Sequence, residues 1–327
     1  MNTIKFTPAS NERTETHNIE VYDIKEKIFN KKKYRVYGNA SLTIYITNKC
    51  NANCPFCMNK YKDNYLYSKE INSDKEYIER LDYVLNQLKD LNPAIAITGG
   101  EPTKSSKLVP TLQLIKRYGY KYKSFSTNGS GLLDLVDNKP ILQHMLENNV
   151  VQNINISRMH SDQRVNSKLM MTPYAISNED VKRIATFCNI NGMGVRMGCT
   201  LQKGGVTNLK EILDYRDFYK NLGVETTLFR ELVNIKKSAP NYDSYMNKLV
   251  DISEIVRELR KNQKFKHIRD MEGLYYSVQV FSYEDSIVKC YTEKDYDNDI
   301  IRDFVFYADG RLMDTDWNNR SKVLLNY

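Results

Sequence analysis

Residues 42–57 read LTIYITNKCNANCPFC, an apolar run at 42–47 followed by a loop with three cysteines. The cysteines, Cys50, Cys54 and Cys57, have three residues between the first pair and two between the second. A short apolar run bounded by polar residues is typical of a buried strand. The stretch therefore predicts a strand whose carboxyl end carries a cysteine-rich loop.

Strand and helix patterns alternate after this stretch. Helices are predicted at 72–91, 108–118, 132–148, 178–191 and 208–222, and strands at 94–98, 122–127, 151–157, 194–201 and 224–232. Such alternation indicates parallel strands joined by right-handed helical crossovers. Six units predict an α/β fold, a partial (βα)6 TIM-like barrel whose site lies at the carboxyl ends of the strands.

The pattern also predicts three regions along the chain. Residues 1–40 are polar and are expected to be an N-terminal lead-in, and residues 41–233 form the core. After residue 233 the alternation stops, with a helix predicted at 242–263 and a hairpin at Asp309-Gly310. Residues 234–327 are therefore expected to form a C-terminal α+β cap that supplies the substrate region.

Composition narrows the class of protein. Of 327 residues, 41% are hydrophobic and 27% charged, as in soluble globular proteins. No run of 18 apolar residues and no N-terminal signal pattern is present, so we expect a cytoplasmic protein without a membrane partner. The net charge of +8 permits an anionic partner. Because the basic residues are scattered, a solvated surface is favoured over a nucleic-acid site.

The cysteines suggest metal binding. Three thiolates can hold three irons of an iron–sulfur cubane and leave the fourth open. A zinc site or a coincidental trio are the alternatives, although structural zinc needs four ligands and no fourth Cys or His lies nearby in sequence. Cys188, Cys199 and Cys290 stand apart and are expected to be small buried side chains.

Further motifs end the next predicted strands. They are Thr98-Gly99-Gly100-Glu101-Pro102, Ser126-Thr127-Asn128-Gly129 and Asn155-Ile156-Ser157. Together with the cysteine loop and the aromatic Phe56 before its last cysteine, this series resembles the radical S-adenosylmethionine (SAM) superfamily. The resemblance covers roughly residues 42–233.

The resemblance implies a mechanism and a set of site residues. A [4Fe-4S] cluster on the three loop cysteines would cleave SAM reductively to a 5′-deoxyadenosyl radical, with an electron donor such as flavodoxin or ferredoxin. Phe56 would pack against SAM, and Gly99, Gly100 and Glu101 would receive its amino group. The further SAM-binding residues implied are Asn128, Ser157, Arg196 and Val233.

Residues 195–233 most resemble the MoaA/PqqE-like branch of the superfamily. Three departures speak against the GTP cyclase reaction of that branch. The C-terminal region has only Cys290, where the resemblance implies several cysteines for a second cluster, and Ala96 stands where an arginine is expected. The sequence ends Leu-Leu-Asn-Tyr, where the resemblance implies Gly-Gly. The missing auxiliary-cluster cysteines also weaken the interpretation as a peptide-maturing enzyme with extra clusters. We therefore expect a single-cluster enzyme acting on a small molecule or a short peptide.

Other possibilities stay open at this point. Cys199 or Cys290 could return a hydrogen atom to a substrate radical. Residues of the cap (Tyr307, Asp309, Asp314, Asp316 and Trp317) could line a polar pocket or simply form a hairpin surface. An RNA-modifying radical SAM enzyme and a non-catalytic iron–sulfur or zinc-binding module are the alternative functions.

Overall fold

A computed structural model describes residues 3–5, 24–61, 69–150, 153–233, 235, 237–239, 241–272, 276–293, 300–314 and 323–326. Its strands are β1 (Thr3–Lys5), β2 (Ile24–Phe29), β3 (Lys32–Tyr45), β4 (Ala94–Thr98), β5 (Tyr122–Thr127), β6 (Leu135–Val136), β7 (Lys139–Pro140), β8 (Ile154–Ser157), β9 (Val195–Thr200), β10 (Thr226–Arg230), β11 (Lys266–Glu272), β12 (Tyr276–Tyr283), β13 (Ser286–Glu293), β14 (Ile301–Phe306), β15 (Leu312–Met313) and β16 (Val323–Leu325). Its helices are α1 (Asp74–Gln87), α2 (Leu108–Tyr118), α3 (Ile141–Glu147), α4 (Gln163–Met170), α5 (Asn178–Ile190), α6 (Leu209–Asn221), α7 (Tyr242–Met246) and α8 (Ile252–Lys261). None of the helices in these ranges is long and apolar enough to span a membrane.

Six parallel strands, β3, β4, β5, β8, β9 and β10, lie side by side in chain order. One face of each strand packs into the core with the helices, through the fully buried side chains of Ile44, Ile97, Phe125, Ile156, Met197 and Phe229. Because side chains alternate along a strand, the residues between these face the opposite, inner side of the curved sheet. The predicted partial TIM-like barrel is confirmed.

Residues after 233 extend this sheet at both ends. Strand β13 pairs in parallel with β10, and β14 pairs in parallel with β3, so eight parallel strands lie in one row. Antiparallel strands then continue outward, β12 and β11 from one end and β15 and β16 from the other. The predicted cap thus contributes strands to the barrel sheet itself, and the three domain boundaries stay predictions.

Several predicted elements differ in detail. The helix expected at 132–148 is shortened to α3, because Asp137 and Asn138 adopt positive φ and turn the chain into the β6–β7 hairpin. The helix expected at 242–263 is two helices, since Asp251 caps a new start by accepting the Ser253 N–H. Helix α4, capped by Asp162, was not predicted.

Two hairpins involve β3 and its neighbour β14. The expected Asp309-Gly310 turn joins β14 to β15, and Gly310 adopts φ +85°. Near the amino terminus, Asn30 and Lys31 turn β2 back onto β3, so part of the lead-in is a hairpin. Asp316 and Trp317, two of the suggested cap residues, lie outside the described residues.

Candidate active site

The cysteine loop follows β3 and is fixed against the Gly-Gly segment that follows β4. The Gly100 N–H donates to the Thr47 carbonyl at 2.6 Å, and the Glu101 N–H donates to the Lys49 carbonyl at 2.8 Å. A Cβ on Gly100 would lie 1.9 Å from the Lys49 carbonyl oxygen, and Gly99 adopts φ +141°. The two glycines are therefore required for the close approach of these loops.

The three loop thiols lie at the carboxyl end of β3. Cys50 is exposed, whereas Cys54 and Cys57 are half-buried. Burial, together with the nearby Cys57 and Cys50 thiols, raises the pKa of Cys54 to about 12, so the three sulfurs are close enough to interact. Within the described ranges no three Cys, His, Asp or Glu side chains converge on one metal ion. A cubane cluster differs from such a site because each thiolate binds a different iron.

The carboxyl end of helix α4 contacts the cysteine loop. The Asn53 N–H donates to the Met170 and Met171 carbonyls, both at 3.2 Å, and Cys54 Sγ lies 3.4 Å from the Met170 carbonyl oxygen. Thr172, just after the helix, donates from its hydroxyl to the Asn51 carbonyl at 2.9 Å. The carboxyl end of α4 therefore sets the position of the segment between the first two cysteines.

The loop after β5 contacts the cysteine loop through side-chain amides. Asn128 Nδ2 donates to Asn51 Oδ1 at 2.8 Å and lies 4.0 Å from Cys50 Sγ. Asn51 Nδ2 in turn donates to Ser130 Oγ at 2.9 Å. Asn128 was predicted as a site residue, whereas Asn51 was not, although its position between the cysteines could have indicated it.

Glu101 joins the ends of β4 and β5. Its side chain is 1% exposed, and its carboxylate accepts hydrogen bonds from Thr103 N and Oγ1, Thr127 Oγ1 and the Asn128 N–H. Burial raises the pKa of Glu101, against the lowering effect of these donors. In this structure the carboxylate is satisfied by the protein, and its contact with a SAM amino group stays a prediction.

Of the other predicted residues, Ser157 and Val233 lie at or just after the carboxyl ends of their strands, whereas Arg196 is the second residue of β9. Phe56 is half-buried within the cysteine loop. Ser157 ends β8, and Arg196 on β9 pairs in register with Asn155; both alternate with core residues and so face the inner side. Val233 follows β10, and its carbonyl accepts the Tyr245 hydroxyl at 3.0 Å. The structure thus groups the cysteines and Phe56 with residues 99–101 and Asn128, and places Ser157, Arg196 and Val233 on or after later strands of the sheet.

A cavity of about 360 Å³ opens beside Cys50 and Glu101. Its lining includes an ion pair that the sequence did not reveal, Glu70 with Lys107, whose charged atoms lie 2.7 Å apart. The Glu70 carboxylate also accepts from the Thr47 hydroxyl and the Asn48 N–H, immediately before the cysteine loop. Burial raises the pKa of Glu70, but the donors Lys107, Asn48 and Thr47 outweigh it and hold the pKa below its usual value.

Comparison with known proteins finds a family and relatives that are similar to this chain. The model of the radical SAM superfamily matches residues 44–204. The GTP 3′,8-cyclase of Aquifex aeolicus is 28% identical over 226 residues, 68% of this chain and 65% of the relative. The probable GTP 3′,8-cyclase of Saccharolobus solfataricus is 28% identical over 232 residues, 70% of this chain and 68% of the relative. The chain thus spans about two thirds of the length of these curated relatives.

A solved structure shares the fold. Streptococcus suis SuiB bound to precursor peptide SuiA superposes with a TM-score of 0.54 at 15% identity, covering 87% of this chain and 62% of SuiB. Enzymes of the matched family use a [4Fe-4S] cluster and SAM, and the cysteine loop carries three thiols of the type that binds such clusters. This chain is an enzyme with a radical SAM domain at residues 44–204, and it is similar to enzymes of the MoaA-like branch.

Proposed function

We propose that Cys50, Cys54 and Cys57 hold the [4Fe-4S] cluster and that the enzyme modifies a small molecule or a short peptide by hydrogen abstraction. When bound, the cluster supplies the electron that cleaves SAM to a 5′-deoxyadenosyl radical. The observation that supports this proposal is the direct backbone pairing of the cysteine loop with Gly100 and Glu101. This pairing fixes the thiols beside the segment expected to bind SAM.

The chain's own residues would orient the bound groups. Asn128 Nδ2 lies 4.0 Å from Cys50 Sγ, and a nearby amide donor stabilises a thiolate. Ser157 and Arg196 face the inner side of the sheet, where a hydroxyl and a cation suit the ribose and carboxylate of SAM. Tyr61 and Tyr245 pack edge to face, 5.0 Å apart, and Tyr61 donates to the Pro55 carbonyl, which holds the Tyr61 ring against the cysteine loop.

GTP is the second substrate candidate, because the curated relatives named above are GTP 3′,8-cyclases. Ala96, in place of the expected arginine, speaks against that reaction. The thiols outside the loop, Cys188, Cys199 and Cys290, are at most 2% exposed in the hydrophobic core and do not line a second cluster site. Incubation with GTP followed by mass spectrometry tests this candidate, and a cyclised GTP product would favour it.

Hydrogen return by Cys199 or Cys290 is also not supported. Cys199 packs in the core and lies 3.5 Å from the Met159 carbonyl oxygen, on the face opposite the inner side. Cys290 is fully buried in the same core. Both thiols are therefore separated from a substrate on the inner face by the sheet itself.

The cluster assignment is tested by iron content and electron paramagnetic resonance after anaerobic reconstitution. The native chain should bind about four irons, and SAM should change the spectrum of the reduced cluster. Cys54→Ala should lose both features, whereas the matched control Cys188→Ala, which removes a thiol outside the loop, should keep them. A Cys54→Ala protein with native iron content and a native response to SAM would contradict the assignment.

A further inference from the structure

The carboxyl end of α4 connects an exposed surface to the cysteine loop. The Met170 carbonyl oxygen lies 3.4 Å from Cys54 Sγ and accepts the Asn53 N–H at 3.2 Å. Met171, the next residue along the chain, also accepts from the Asn53 N–H with its carbonyl, and it is 54% exposed. One peptide unit and one short contact therefore separate this exposed residue from the Cys54 sulfur.

Two large side chains with apolar surface are exposed at this place. Tyr174, three residues after Met171, is 66% exposed. Its N–H donates to the Thr172 hydroxyl at 3.1 Å, and that hydroxyl donates to the Asn51 carbonyl within the cysteine loop. Met171 adopts φ +47° at the end of α4, where Gly or Asn is usual, so the ending of the helix does not explain a methionine there. Since Met and Tyr are enriched in the cores of protein interfaces, the pair has the composition of a docking surface.

Lysines flank these two side chains. Lys168 is exposed in the last turn of α4, and its carbonyl accepts the Met171 N–H at 3.3 Å. Lys60 Nζ donates to the Asn53 carbonyl at 2.9 Å, so it lies beside the loop segment that Met171 contacts. Hydrogen bonds thus connect the backbone or side chains of all these residues around Asn53. The loop-end patch is defined as Lys60, Lys168, Met171 and Tyr174.

The segments that carry the loop-end patch are cationic. Residues 44–61 and 163–177 contain no aspartate or glutamate. Their basic residues are Lys49, Lys60, Arg164 and Lys168. Acidic residues lie outside these segments: Asp63 follows the first in sequence, Asp162 caps the opposite end of α4, and Glu179 lies in the first turn of α5. The whole chain also has a net charge of +8, so the patch is complementary to an acidic protein.

We propose that the loop-end patch docks a small acidic protein that carries one electron and delivers it to the cluster. This inference rests on the proposed function, because it requires a cluster bound by Cys54. SAM is expected beside Gly100 and Asn128, which contact the loop near Cys50 and leave the patch accessible. In the transfer the carrier is oxidised by one electron and the cluster is reduced by one, and no bond forms or breaks. Transient redox complexes use small interfaces, and charge complementarity speeds their formation.

The test uses two acidic carriers, flavodoxin and plant-type ferredoxin, with the reconstituted full chain and SAM. Biolayer interferometry measures their binding, and parvalbumin serves as an acidic protein without a redox group. Lys168→Gln removes a complementary charge and Tyr174→Ala an interface ring, so each should weaken carrier binding about tenfold. Both side chains are exposed, so the core stays intact. Lys210→Gln, the same change at an exposed lysine of α6 paired with Asp214, is the matched control and should bind as the native chain does.

A second readout is the rate at which the cluster is reduced, followed by stopped-flow absorbance. At carrier concentrations below saturation, Lys168→Gln and Tyr174→Ala should each be reduced about tenfold more slowly than the native chain, because less complex forms. Dithionite is a small ion that needs no docking surface, so its rate should be the same in all variants.

Three results would overturn the inference. They are a native chain that binds neither carrier, binding of parvalbumin as tight as that of the carriers, and a loss in Lys210→Gln equal to that in Lys168→Gln. Normal dithionite-driven formation of 5′-deoxyadenosine, with carrier binding unchanged in both patch variants, would refute this inference alone. A reconstituted chain that holds no cluster, or that binds SAM and forms no 5′-deoxyadenosine with dithionite, would instead refute the proposed function.

Discussion

At the scale of single residues, Gly100 sets the distance between the cysteine loop and the segment after β4. A side chain at this position would lie 1.9 Å from the Lys49 carbonyl oxygen, and backbone atoms, unlike a flexible side-chain end, cannot move aside at low cost. The carboxylate of the neighbouring Glu101 accepts hydrogen bonds from Thr103, which follows β4, and from Thr127 and Asn128 at the end of β5. The position of the thiols therefore depends on one absent side chain and one buried carboxylate.

Gly100→Ala is expected to displace the cysteine loop and to lower 5′-deoxyadenosine formation at least about tenfold, equivalent to about 1.4 kcal/mol of lost stabilisation. The measurement is the single-turnover yield of 5′-deoxyadenosine per cluster. Gly119→Asn is the control, because a Cβ there meets no atom within 4 Å and Asn tolerates the φ of +73°. Native yield from Gly100→Ala would show that the close approach is not required.

At the scale of elements, the Glu70–Lys107 ion pair connects the residues before the cysteine loop to the start of α2. Lys107 is 3% exposed, its Nζ also donates to the Ile71 carbonyl, and it lies 5.2 Å from the centroid of the Tyr77 ring. The Glu70 carboxylate also accepts hydrogen bonds from the Thr47 hydroxyl and the Asn48 N–H. Removing the carboxylate would leave a buried cation beside the base of the loop.

Glu70→Gln is expected to reduce the free energy of unfolding by about 1–3 kcal/mol at pH 7. The folded-state pKa of Glu70 lies below its ordinary value of 4.5, so its stabilisation is present above that pH and is lost as pH falls through the folded-state pKa. Denaturant unfolding from pH 7 to pH 3 should therefore show the native and variant curves converging at low pH. The control Glu147→Gln, in an exposed pair with Lys139, should have a much smaller effect. A difference between native and Glu70→Gln that does not depend on pH would contradict this account.

Elements with regular apolar spacing could be predicted from the sequence, and those defined by polar residues could not. Strand β4 and helix α2 have the predicted bounds because their buried residues recur at the strand and helix periods. Helix α4 buries only Asn166 and Met170, so it has no apolar stripe to detect. The same limit applies to the site. The cysteines and the Gly-Gly segment could be identified, but Glu70 and Lys107 meet only through the fold.

At the scale of the whole molecule, the sheet is completed by strands far away in sequence. Strand β14 pairs Asp303 with Ser41 of β3, and β13 pairs Cys290 with Phe229 of β10. No local pattern encodes such pairings, which is why residues 234–327 were expected to form a separate cap. The pairing places β14 directly beside the strand that carries the cysteine loop.

The most direct test of the central claim is the formation of 5′-deoxyadenosine by the reconstituted chain with dithionite and SAM, measured by mass spectrometry. The native protein should form it, and Cys54→Ala should form none, while Cys188→Ala should match the native yield. SAM binding is measured on the same samples by equilibrium dialysis. A native chain with a full cluster and bound SAM that forms no 5′-deoxyadenosine, or a Cys54→Ala variant that forms the native amount, would contradict the claim that this loop holds the catalytic cluster.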